Sequence, residues 1–93
     1  MNDTVAVEVL IRGRVQGVFF RGWTEEQAGR RGLSGWVRNN PDGTVSALFA
    51  GPRAVVDDML EACRQGPLAA RVEAVEAAPV EPPPASGGFR ILR

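Results

Sequence analysis

Residues 13–24 read GRVQGVFFRGWT, and this stretch together with Asn39 holds the side chains best suited to chemistry. Gly13 and Gly17 allow positive φ and remove side chains where something must approach the backbone. If a strand ends and a helix begins here, the loop N–H groups point into a helix N-terminus, where the dipole favours an anion. Arg21 sits at the mouth of that loop, and its planar guanidinium can hold phosphate oxygens bidentately through bonds of about 1.5 to 3 kcal/mol each. A lone Arg after an apolar pair is ordinarily a surface residue; placed by this loop at a helix start, it reads as functional. Asn39 admits two readings. It can serve the turn that follows it, or its carboxamide can hold a water by donating and accepting at once.

Other phosphate chemistries fail on particular residues. Residues 17–24 have the glycine spacing of a Walker A loop, but Trp23 stands where the lysine belongs. The chain has no Lys and no His, which excludes a Schiff base, a Ser-His-Asp triad, a histidine phosphatase and a His-based metal site. Cys63 lacks the C-x5-R cradle of a cysteine phosphatase, since position 69 is Ala69, and it lies on an apolar helical stripe as a core residue. Asn40-Pro41-Asp42-Gly43-Thr44-Val45 is like the D-x-D-G-T-V motif of aspartate-nucleophile phosphatases, but Asn40 replaces the nucleophile, so the segment reads as a turn. Asp57, Asp58 and Glu61 read as the wet face of a helix, and no metal is expected. Phe19, Phe20, Trp23 and Trp36 do not make a nucleic-acid surface in a chain of zero net charge. A phosphate held in this loop is then open to attack by water.

The elements that must position these residues are legible from periodicity. Val5, Val7, Val9 and Ile11 alternate, which predicts a strand from Thr4 to Arg12. Thr24-Glu25-Glu26-Gln27 has the form of a capping box, predicting a helix from about Gly22 or Thr24 to Arg31. Strands over Gly35 to Asn39 and Thr44 to Ala50 flank Asn40-Pro41-Asp42-Gly43, a hairpin. Pro52 suits the first position of a second helix carrying Val55, Val56, Met59, Leu60 and Cys63 up to Gly66-Pro67. Arg71 to Ala78 fits a helix or a bulged strand by spacing and is taken as a strand, because eight residues between prolines are short for a helix. A proline- and glycine-rich connector over 81–88 precedes a short strand at Phe89 to Leu92. The order is that of an α+β, ferredoxin-like βαββαβ sandwich: two helices on one face of an antiparallel sheet, with a short extra C-terminal strand.

Ninety-three residues, 44% apolar and 24% charged, suit a single domain over 1–93. Such a domain buries roughly 60 to 65% of its unfolded surface, enough for two layers and one shallow site. Glu8 interrupts the N-terminal apolar stretch, so neither a signal peptide nor a membrane span is expected. A single cysteine permits no internal disulfide, and a cytoplasmic location is the default expectation.

The residues also name a family. Gly13-Arg14-Val15-Gln16-Gly17-Val18-Phe19-Phe20-Arg21 resembles the acylphosphatase signature G-x-V-Q-G-V-x-F-R. Gly35-Trp36-Val37-Arg38-Asn39 with Gly43-Thr44-Val45 resembles the second motif, G-W-V-x-N followed by G-T-V, and Arg21 and Asn39 stand eighteen residues apart. The likeness covers essentially the whole chain, including Gly51-Pro52 and an F-x-I-x-R ending at Phe89 to Arg93. It implies hydrolysis of the carboxyl-phosphate bond of acyl phosphates to a carboxylate and inorganic phosphate, with no metal and no cofactor. It further implies that Arg21 binds the phosphoryl group together with the amides of Val15, Gln16, Gly17, Val18, Phe19 and Phe20, and that Asn39 orients the attacking water. The implied partners are a small acyl phosphate and inorganic phosphate, with no nucleic acid, no membrane and a monomeric state. Asn40 departs from the Thr or Ser that animal members often carry there. Two rival readings are the N-terminal module of hydrogenase-maturation carbamoyltransferases, opposed by the absence of zinc-binding Cys pairs, and a non-catalytic anion-binding module, opposed by Arg21 and Asn39.

Overall fold

The computed structural model describes residues 3–82 and 88–92. Five strands and two helices follow in the order β1 (Thr4–Arg14), α1 (Phe20–Arg30), β2 (Ser34–Asn39), β3 (Val45–Pro52), α2 (Arg53–Gln65), β4 (Arg71–Val80) and β5 (Phe89–Ile91). The sheet order is β4-β1-β3-β2-β5. The pairs among the first four strands are antiparallel, whereas β5 runs parallel to β2 with Val37 opposite Ile91. The sheet is therefore mixed rather than antiparallel throughout. The connector expected over 81–88 lies largely at 83–87, outside the described residues.

Alternation along the strands separates two faces. Val9, Ile11, Val37, Val45, Ala47 and Phe49 point to the helix side and are buried with Phe20, Leu33, Val56, Met59 and Cys63. Burial pushes the Cys63 thiol up to about 12 and keeps it a small core hydrophobe.

The starts of both helices differ from the sequence reading. Thr24 is no cap: it is buried inside α1, and its hydroxyl donates to the Phe20 carbonyl four residues back at 2.8 Å. The helix instead begins at Phe20, with its first bond from Trp23 N to the Phe19 carbonyl at 3.0 Å. Pro52 is the last residue of β3 and the cap of α2, not its first helical residue, because ψ of 141° keeps it extended opposite Thr4. Residues 71–80 resolve as a strand with a bulge. Arg12 pairs with Ala74 but Gly13 with Val72, so Glu73 is skipped and both Val72 and Val75 reach the core. Pro79 is tolerated in β4 because β4 is an edge strand. Among the described residues no helix is long and apolar enough to cross a membrane.

Candidate active site

β1 continues to Arg14 and α1 starts at Phe20, so the connecting loop is residues 15–19, shorter than the sequence suggests. The two glycines that frame it do different work. Gly13 has φ of +129°, and a Cβ there would collide with the Arg71 carbonyl, so its missing side chain admits β4 rather than a ligand. Gly17 has φ of +73°, and a Cβ on it would meet nothing within 4 Å. Phe19 has φ of 65°, while Val18 between them keeps negative φ. Left-handed residues alternating with an ordinary one turn successive N–H groups toward a common point. Among the described residues no hydrogen bond occupies the N–H groups of 15–19, and α1 has no side-chain cap to take those of its first turn. The missing cap at Thr24 thus leaves the anion-favouring end of the helix free.

Asn39 closes the opposite side. It ends β2 two residues after Val37, which puts its side chain on the helix-facing side of the sheet. Arg21, on the first turn of α1, and Asn39 border one cleft of about 400 Å³ with Val15, Gly17, Phe19, Phe20, Gly22 and Ile91. Both are half-buried. Among the described residues, the Arg21 guanidinium has no carboxylate partner and the Asn39 carboxamide no hydrogen bond. An unpaired guanidinium and unpaired amides bordering one cleft are groups suited to an anion.

The hairpin turn after Asn39 is tied to the loop. Gln16 Nε2 donates to the Asn40 carbonyl at 2.8 Å and to the Thr44 carbonyl at 2.9 Å. Asn40 Nδ2 donates to the Thr44 and Ser46 hydroxyls at 2.9 and 2.7 Å. The Thr44 hydroxyl and amide both donate to Asp42 Oδ1, which lowers the Asp42 pKa below its ordinary value. Of the residues expected in the site, Val15, Gly17, Phe19, Phe20, Arg21 and Asn39 line the cleft. Val18 packs toward the core, and the Gln16 side chain serves the turn. Gly22 and Ile91 were not anticipated. Gly22 carried no local signal beyond its place after Arg21, and Ile91 reaches the cleft only through the β2–β5 pairing.

A family model of acylphosphatases matches residues 7–91. The chain belongs to the acylphosphatase family. An acylphosphatase from Nitrobacter hamburgensis is 60% identical over 78 residues, covering 84% of this chain and 79% of that relative. The solved acylphosphatase of Coxiella burnetii superposes with a TM-score of 0.92 at 30% identity, covering 97% of this chain and 94% of that one. The same fold occurs in HypF from T. kodakarensis, with a TM-score of 0.84 at 23% identity over 96% of this chain but only 12% of that one. That likeness is one of fold alone. Membership of the family makes the chain an enzyme that hydrolyses acyl phosphates.

Proposed function

We propose that this acylphosphatase hydrolyses its substrate by direct attack of water on phosphorus, with Arg21 and the N–H groups of residues 15–20 holding the phosphoryl oxygens and Asn39 placing the water. The observation that carries this reading is the meeting of an unpaired guanidinium, unpaired loop amides and an unpaired carboxamide at one cleft.

The water oxygen forms a bond to phosphorus while the bond from phosphorus to the bridging carboxyl oxygen breaks. That oxygen leaves with the bonding pair as a carboxylate. Asn39 is neither acid nor base, so the water's proton passes to a non-bridging oxygen of the phosphoryl group, and the second product is inorganic phosphate. A loose transition state with a good leaving group needs little beyond positioning and charge stabilisation. Arg21 and the loop amides supply the second before reaction begins, with no reorganisation.

The reading takes the protein as a cytoplasmic monomer acting on a small molecule without a metal. The test is hydrolysis of benzoyl phosphate by purified protein in excess EDTA, with competitive inhibition by inorganic phosphate. Inactive folded protein, or activity abolished by EDTA and restored by a metal, overturns it.

A further inference from the structure

Phosphoryl binding and water attack leave the acyl half of the substrate without a contact. Phe19, Leu68 and Ile91 are the large hydrophobic residues left exposed among the described residues, and two of them, Phe19 at 73% and Ile91 at 37%, border the cleft. Leu68 lies between α2 and β4 and does not line it. Among the described residues Phe19 is also the non-glycine residue held at positive φ. An exposed aromatic on a strained backbone returns nothing to the core, because Phe20 beside it already fills that place at 2% exposure. Strain of this kind persists at ligand sites.

The Phe19 ring has a seat. A Cβ on Gly22 would collide with its ring atoms, so the ring rests against the first turn of α1 while most of its surface stays bare. Ile91 approaches from the other side, because β5 pairs parallel to β2 with Ile91 opposite Val37, two residues before Asn39. Two apolar lips therefore flank a polar floor, one attached to the element that carries Arg21 and the other beside the strand that carries Asn39.

We propose that Phe19 and Ile91 contact the acyl group and make acyl phosphates with a flat or bulky apolar acyl body better substrates than those with a small one. This rests on the water-attack reading of the same cleft, in which the leaving carboxylate must point out of the loop and past these two side chains. Apolar surface on the acyl group is removed from water only when it lies against them. A small acyl group ends before it reaches them.

The experiment compares kcat/KM for benzoyl phosphate and acetyl phosphate in the wild type and in Phe19→Gly, Phe19→Asn and Ile91→Ala. Gly and Asn both adopt the left-handed backbone of position 19, so the loop keeps its course. The expected result is a wild-type preference for benzoyl phosphate and a fall of about fivefold in the benzoyl-to-acetyl ratio in each variant, mostly through KM for benzoyl phosphate. A ratio unchanged in all three variants overturns the proposal, and so does a parallel loss on both substrates, which would mark the residues as supports of the phosphate loop. A wild type that hydrolyses neither compound overturns the parent reading and this one with it, an outcome told apart from the others without any variant.

Discussion

Gln16 donates from its side-chain nitrogen to the carbonyl of Asn40, twenty-four residues away, at 2.8 Å. The same nitrogen bonds the Thr44 carbonyl, so one amide joins the 15–19 loop to both ends of the turn behind Asn39. The positions of the two halves of the site, one on α1 and one on β2, are thereby coupled through a single side chain.

Gln16→Ala should lower stability by about 1 to 2 kcal/mol, because two part-buried carbonyls each lose one of their two donors and keep only the backbone N–H of Gly43 or Asn40. It should also lower kcat more than it raises the phosphate inhibition constant. Gln16→Glu should be at least as damaging, since a carboxylate cannot donate to either carbonyl. Denaturant midpoints and steady-state kinetics on both variants decide this; a Glu variant as stable and active as the wild type would remove Gln16 from the coupling.

Arg21→Gln should reduce kcat/KM by about ten- to a hundredfold and weaken phosphate inhibition in parallel, the loss expected of one charge-assisted contact. Asn39→Ala should reduce kcat while leaving phosphate inhibition nearly intact, because the carboxamide is assigned to water and not to the phosphoryl oxygens. Both variants should stay folded, since neither side chain has a hydrogen-bond or ion-pair partner among the described residues. Normal turnover by either one counts against its assigned role.

The glycines should separate by stability. Gly13→Ala combines φ of +129° with a Cβ overlapping the Arg71 carbonyl and 2.8 Å from the Glu73 nitrogen, and should cost about 2 to 4 kcal/mol. Gly17→Ala meets open space and should cost about 1 to 2 kcal/mol for its left-handed backbone alone. Thermal or denaturant unfolding orders the two, and the reverse order would contradict the register of β1 against β4.

Cys63 predicts an alkaline loss of stability. Its thiol is held neutral by burial, offset in part by Arg31 and Arg64, with a pKa raised from 9.0 to about 12. A raised folded-state value means that the contribution is fully present below pH 9.0 and is lost as pH rises toward 12, because only the unfolded thiol ionises in that window. The slope is about 1.4 kcal/mol per pH unit there. Cys63→Val removes this titration, so the stability of the two proteins measured between pH 8 and 11 should converge or cross as pH rises.

Much of this was legible because the signals are local. Alternating Val and Ile mark β1, Asn40-Pro41-Asp42-Gly43 marks the hairpin, and Val56, Met59 and Cys63 at helical spacing mark α2. Arg21 and Asn39 could be singled out because one follows a glycine loop at a helix start and the other ends a strand inside the two motifs that resemble the family's, and the structure brings both to one cleft. The start of α1 was misread for a physical reason. A Thr followed by Glu and Gln satisfies a capping pattern, yet the left-handed turn at Phe19 starts the helix four residues earlier and turns the same hydroxyl back onto the helix.

Residue order alone thus established the elements and their sequence along the chain, and it singled out Arg21 and Asn39, which line one cleft, since alternation and helical spacing are properties of neighbours. Only the tertiary structure decided that Gln16 holds the turn, that Glu73 is bulged out of register, that β5 runs parallel to β2, and that Ile91 stands at the cleft opposite Phe19. Each of these is a bond or contact between residues far apart in the chain. Such pairings leave no periodicity in either partner, so they appear only once the sheet has brought the partners together.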